Sequence, residues 1–251
     1  MAAQRARSKA EGSWPAKGRT RRLSASDSRK LRQYRILDAA MAVLARWGFR
    51  KTTVDDVARE AGVGKGTIYL HWKDKEELFR AAIWHAGQKT IEDTMRRVAA
   101  DPDGEQFHRF WAHGLAAIYD NPLISGVMSG VIDIAGGGIE ALGSSTLKRL
   151  IGTSEELIAA MQRANLIRRE VPIRVVLVLL DALKMGIISS SRLLLTGQTP
   201  TQELTDGLGD LIRRWLQPDA GGRVSAKGKA IMKEWMKMFV SIGAENRRTE
   251  D

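Results

Sequence analysis

Residues 52–72 read TTVDDVAREAGVGKGTIYLHW. Thr53 stands three residues before Asp56, a spacing at which a hydroxyl and a carboxylate can cap each other's backbone at a helix start. Val54, Val57, Ala58 and Ala61 then recur at three and four, which draws one apolar stripe down a short helix. Gly62 follows the last of them, where a helix stop is expected. A second helix is expected over 65–71, with Ile68 and Trp72 on one side, after a link of only Gly62 to Gly64. Two short helices on a tight glycine-containing turn are the signature of a helix-turn-helix, whose second helix enters the major groove of DNA while the first braces against the backbone.

The neighbouring sequence supplies the rest of such a domain. From Leu31, the residues Ile36, Leu37, Ala40, Met41, Leu44 and Trp47 keep helical spacing, and Gly48 falls where that helix should end. Asp74 and Glu77 repeat the capping spacing, and Leu78, Ala81 and Ala82 open a fourth helix expected to run to about Ala99, where Asp101-Pro102-Asp103-Gly104 breaks it. Further helices are expected at 105–120, 122–135, 145–167, 172–195 and 201–216, with no strand-like alternation between them. The segment AGGGIEALGSS, 135–145, follows no strand and reads as a loop rather than a phosphate-binding fingerprint. The chain reads as all-α in four parts. These are a disordered basic arm over 1–28, a three-helix DNA-binding domain over 29–80, an effector-binding and dimerisation helical bundle over 81–218, and a tail over 219–251.

Composition narrows the function. The 251 residues contain no cysteine, which excludes disulfides, thiolate zinc sites and thiol redox sensing, and fits a cytoplasmic protein. No apolar run is long enough to span a bilayer, and the N-terminus has no secretory h-region. The net charge of +11 is concentrated at the start, where residues 1–35 hold 11 Lys and Arg against 2 Asp and Glu. Such an arm can follow phosphates or enter a minor groove; a solubilising tail is the plainer alternative. No nucleophile elbow, phosphate loop or metal-ligand cluster is visible, so no enzyme activity and no cofactor are expected. His108 and His113 are five apart, a poor fit to one helix face, so no metal site is expected either.

Residues 35–83, RILDAAMAVLARWGFRKTTVDDVAREAGVGKGTIYLHWKDKEELFRAAI, resemble the TetR (tetracycline-repressor) family. The likeness is carried by the Gly48-Phe49 turn, Thr52-Thr53-Val54, the Ala61-Gly62-Val63 turn, Gly66-Thr67, Tyr69, His71 and Lys75-Glu76. Two departures are Gly64, where the family usually has a capping Ser, and Trp72, where Phe is common. The resemblance implies a ligand-responsive homodimer, usually a repressor released from a palindromic operator in double-stranded DNA by a small-molecule effector. A nonspecific architectural DNA binder is the alternative.

On that reading Lys65, Gly66, Thr67, Tyr69 and His71 are the groove-facing candidates, and the resemblance implies phosphate clamping by Thr52, Thr53 and Lys75. Gly66 costs about 1 kcal/mol against Ala inside a helix, so something is expected to approach its backbone closely, either DNA or the preceding helix. Plainer readings stand beside these: Thr53 as an N-cap only, Tyr69 as half-buried packing, Lys75 as solvated and His71 as stacked on Trp72. The apolar helices 171–195 and 204–216 form the expected dimer interface, with monomer core as the alternative for 175–180. Effector candidates are His108, Phe110, Trp111, Tyr119, Met128, Met161 and Met185, each of which could instead be ordinary core. In the tail, 229–242 places Ile231, Trp235, Met238, Phe239 and Ile242 on one face of an amphipathic helix expected to dock on the bundle, with a partner-binding or membrane-surface helix as the alternative.

Overall fold

Each apolar stripe at three-and-four spacing needs another surface to cover it, and in the computed structural model the stripes cover one another. It describes residues 25–130, 144–190, 201–218, 228, 230–235 and 237–238. The elements are α1 (Ala25–Lys51), α2 (Val54–Ala61), α3 (Lys65–Tyr69), α4 (Lys75–Ala100), α5 (Phe107–Tyr119), α6 (Pro122–Met128), α7 (Ser144–Arg163), α8 (Ile173–Ser190) and α9 (Thr201–Leu216). Among the described residues there is no strand.

Several boundaries differ from the sequence reading, each for a local reason. Helix α1 begins at Ala25, so the last residues of the expected arm are helical; the rest of the arm lies outside the described residues. Gly48 interrupts α1 at φ 75°, ψ 172°, a conformation that favours glycine, before one more turn ends at Lys51. Trp47, expected on the apolar face, is instead 44% exposed with the Arg46 guanidinium 5.7 Å from its ring centroid. Helix α3 ends at Tyr69, short of residue 71. Helix α6 ends at Met128, with Gly130 at φ 70°, and 131–135 lie outside the described residues, as do 135–143 of the expected loop and 191–195 of the helix expected over 172–195. Helix α7 stops at Arg163 rather than 167 because Asn165 turns left-handed at φ 56° and lets the Leu166 N–H donate back to the Met161 carbonyl.

Two clusters of buried side chains result. The first joins Ile36, Ala40 and Leu44 of α1 to Val57 of α2, Ile68 of α3 and Leu78 and Phe79 of α4. The second gathers Phe107 and Phe110 of α5, Ile158 and Met161 of α7, Val176 and Leu180 of α8, and Ile212 and Leu216 of α9. The division does not fall at residue 80. Ala82, Ile83 and Ala86 of α4 still belong to the first cluster, Val98 near the far end of that helix to the second, and Leu123 and Val127 of α6 return to the first. Met232 is 2% exposed in the second cluster, and the Trp235 indole N–H donates to the Thr153 carbonyl at 3.1 Å, so this part of the tail packs on the bundle. The buried tail face includes Met232, which the periodicity reading omitted, whereas Met238 is 38% exposed; Phe239 and Ile242 lie outside the described residues.

Polar ties fix α4 between the two cores. Near its start, His85 and Lys89 both reach the Asp38 carboxylate of α1, and Tyr34 stacks on the His85 ring at 5.4 Å. Further along, Asn121 donates to the Ala86 carbonyl and the Thr90 hydroxyl while its own oxygen caps α6 at Ile124. Past its end, Asp101 accepts from Arg109 at 2.7 Å and lies 2.7 Å from His113, and Arg109 reaches on to Asp206 of α9 at 2.7 Å. Burial alone would raise the Asp101 carboxyl, but hydrogen bonds with His113, the Asp103 N–H and Arg109 outweigh it and hold the pKa at about 2. Gly104 closes this corner; a Cβ there would lie 2.2 Å from the Val98 carbonyl oxygen.

Leu123 is 1% exposed, so Leu123→Ala should cost about 2–5 kcal/mol in urea denaturation. Because the Asp101 pKa is depressed from 3.8 to about 2, its contribution is fully present above about pH 4 and is lost as the pH falls towards 2. Asp101→Asn should therefore remove about 2 kcal/mol at pH 7 and flatten part of the acid limb of the stability profile; an unchanged acid limb would mean that the carboxylate is not so engaged.

Candidate nucleic-acid interface

The helix-turn-helix is built by three local devices. The Thr53 hydroxyl accepts the Asp56 N–H at 3.2 Å, and the Asp56 carboxylate accepts the Thr53 N–H at 2.9 Å and its hydroxyl at 2.6 Å, a reciprocal cap on α2. Gly62 ends α2 at φ 62°, ψ 41°, its N–H reaching the Ala58 and Arg59 carbonyls. Gly64 then starts α3 in extended conformation with no side-chain cap.

What α3 presents follows from what it buries. Ile68 is 1% exposed and Trp72 just beyond it 5% exposed, both inside the first core. Helical geometry turns Lys65, Gly66 and Tyr69 to the outside, with Thr67 half-buried at the edge and Tyr69 48% exposed. Tyr69 is therefore not a packing residue. Gly66 has open space at its Cβ position, so it is not needed for contact with α2. Lys65 donates to Asp55 of α2 at 2.8 Å, and that carboxylate keeps its ammonium pKa above the ordinary value. His71 follows in the turn after α3, half-buried and tilted against Trp72 at 5.3 Å. Burial first, and then the charges of Arg29 and Arg32, lower its pKa and keep the ring neutral near pH 7.

One of the expected phosphate clamps is corrected. Thr52 is fully buried, and its hydroxyl donates to the Gly48 carbonyl at 2.8 Å, so that side chain ties the end of α1 and faces no ligand. Lys75 is half-buried and holds its ammonium 4.5 Å from the Phe49 ring centroid and 5.5 Å from that of Phe79, a cation–π seat at the edge of the core. Thr53 stays exposed while serving as the N-cap. Leu70 was missed. It is 75% exposed beside Tyr69, and only an accurate end to α3 could have shown that it falls off the apolar face.

The effector candidates do not converge. His108 and Met161 line a cavity of about 210 Å³ between the start of α5, the end of α7 and the end of α9, together with Phe107, Ile167, Ile212 and Arg213. Burial, then the charges of Arg109 and Arg213, lower the His108 pKa. The other five lie off this cavity. Phe110 is buried edge-on against Trp235, Trp111 and Met128 pack against the second core, and Tyr119 and Met185 are half-buried elsewhere. Among the described residues no group of three or more His, Cys, Asp or Glu could hold a metal ion, and no helix is long and apolar enough to cross a membrane.

A family model described as bacterial regulatory proteins, tetR family, matches residues 36–82. The HTH-type transcriptional regulator AcrR of Shigella flexneri is 36% identical over 70 residues, so the matched part spans 28% of this chain and only 32% of that protein. A probable acrEF/envCD operon repressor of Escherichia coli strain K12 is 23% identical over 201 residues, 77% of this chain and 90% of that protein. The structure of the transcriptional regulator FadR from Bacillus subtilis in complex with stearoyl-CoA shares the fold, with a TM-score of 0.56 at 17% identity over 71% of this chain and 96% of that one.

Gly66 sits exposed in α3 with nothing near its Cβ position, so Gly66→Ala should raise the stability of the free protein by about 0.5–1 kcal/mol. The added methyl should at the same time weaken duplex binding in a mobility-shift titration. Equal or tighter binding would show that no DNA backbone or base edge comes close to this position.

Proposed function

We propose, for a chain that belongs by its N-terminal domain to the tetR family of bacterial regulatory proteins, that it is a sequence-specific transcriptional regulator that binds a palindromic operator as a homodimer. The observation that carries this reading is the outward row on α3. Ile68 is locked in the core, so Lys65, Thr67 and Tyr69 are presented on a rigid base with donors and acceptors suited to base edges and phosphates.

One such reader makes few contacts, so useful affinity calls for two on one duplex. Helix α8 supplies a surface for pairing. Val176, Leu180 and Ile188 face the second core, while Val175, Val178 and Leu179 are 43%, 66% and 45% exposed on another side, continued by Ala182 and Gly186 along an open groove. On α9, Leu211 is 50% exposed. These exposed apolar side chains support the homodimer reading, while Val176 and Leu180 within 175–180 serve the monomer core. Repression relieved by an effector is the regulatory mode favoured here. The cavity beside His108 and Met161, about 210 Å³, is somewhat larger than the roughly 150 Å³ cavity that admits benzene, and its lining mixes Phe107, Ile167 and Ile212 with Glu105, Gln106 and Arg213, which fits a small effector that has both apolar and polar groups. Helix α6, whose Leu123 and Val127 enter the core of the reader, offers a mechanical link between the two halves.

Selection from a randomised duplex library on the purified protein should enrich a palindrome; retention of duplex without any enriched motif would favour a nonspecific architectural binder instead. On the enriched site, Tyr69→Ala should cost about 1–3 kcal/mol of specific affinity and far less on unrelated duplex. Equal losses on both would remove Tyr69 from base reading.

A further inference from the structure

The tail reaches the bundle through a narrow footprint. Met232 is buried and Ile231 and Trp235 pack against the second core, whereas Ala230, Lys233, Glu234, Lys237 and Met238 are exposed. Trp235 makes two directed contacts there. Its ring meets Phe110 of α5 edge-on at 5.7 Å, and its indole N–H donates to the Thr153 carbonyl of α7 at 3.1 Å. These contacts adjoin the cavity described above, since Phe110 lies one helical turn beyond Phe107 and Thr153 about two turns before Met161, and both Phe107 and Met161 line that cavity. The space between α5 and α7 thus has an empty part, of about 210 Å³, and a part filled by the tail. Residues 219–227, DAGGRVSAK, which join the tail to the rest of the chain, hold Val224 as their one large apolar residue, the composition of a polar tether.

We infer that Met232 and Trp235 are a built-in occupant of a binding site between α5 and α7, and that the ligand of this site is a planar aromatic molecule carrying an N–H or O–H donor, which takes the place of the indole and releases the tail. The ring shape follows from the edge-on seat against Phe110, and the donor from the Thr153 carbonyl that the indole already engages. Any further substituent on the ligand has the adjoining cavity to enter. The inference rests on the reading of the second core as the sensing half, and adds to it a chemical class of ligand and a competitor for its place. A tethered competitor lowers the apparent affinity of a free ligand by the fraction of time for which the site is open, so the tail sets the concentration at which the ligand acts.

The test uses the full-length chain and indole, the free form of the displaced ring, with binding followed by titration calorimetry and the tail by hydrogen exchange. In the wild type, saturating indole should speed exchange of the amides of 230–235 and leave those of α1 to α4 unchanged. Met232→Asp, which puts a charge where a buried apolar side chain sits, should undock the tail and tighten indole binding about tenfold, as for a site that the tail leaves open about one-tenth of the time. Trp235→Phe, which keeps a ring and removes the donor, should fall between the two, and it decides the matter with the wild type if circular dichroism shows Met232→Asp unfolded. Benzothiophene, of similar shape but without the N–H, should bind no tighter than indole despite its greater hydrophobicity. No indole binding by any folded form, binding to the wild type with tail exchange unchanged, no gain in the folded variants, or tighter binding of benzothiophene would overturn the inference. Indole binding with tail release but no change in affinity for the enriched palindrome would uphold the site and count against the regulator reading instead.

Discussion

A helix of five residues has no stability of its own, because nucleation costs more than so few backbone hydrogen bonds return. The orientation of α3 therefore rests on the burial of Ile68, seconded by Trp72 just beyond the helix. With one residue pinned inside, the helical period dictates where every neighbour points, and the outward row of Lys65, Gly66 and Tyr69 has no freedom to rotate. The caps serve the same end. The Thr53–Asp56 pair fixes where α2 starts, Gly62 fixes where it stops, and the two together set the angle at which Ile68 enters the core.

The two cores are not independent bodies joined by a hinge. Helix α4 runs through both, and α6 sends Leu123 and Val127 back into the reader while Asn121 at its N-cap is bonded to α4. A shift of α6 must then either break those hydrogen bonds or carry α4 with it. Close-packed interiors respond to such a shift by moving between discrete arrangements rather than by yielding smoothly, which makes this junction a suitable place for a switch.

The helix-turn-helix was legible in the sequence because its signals are local: a capping box, a glycine stop and a short apolar stripe. The all-α class was legible for the same reason. The errors came where a residue's role depends on what lies across the fold. Thr52 looked like a phosphate ligand beside Thr53, but only the course of α1 past Gly48 shows that its hydroxyl turns inward. The seat of Lys75 over Phe49 and Phe79 was likewise beyond the reach of the local pattern. The effector candidates were picked as aromatic or sulfur-bearing residues along the bundle, and periodicity cannot say which of them share a cavity, so only His108 and Met161 do.

The pairing of Lys65 with Asp55 means that the free reader already carries an occupant on one of its cationic tips. An incoming phosphate must share that ammonium with a carboxylate, which stands as a like charge beside it. Contact through Lys65 is thus weakened by its neighbour rather than a simple gain. Its net attraction is small in an arbitrary orientation, and becomes favourable only where the rest of the surface holds the phosphate clear of Asp55. A decoy of this kind lowers the affinity for loosely docked duplex more than for a well-seated one, so it favours fast search and release over trapping at the wrong place.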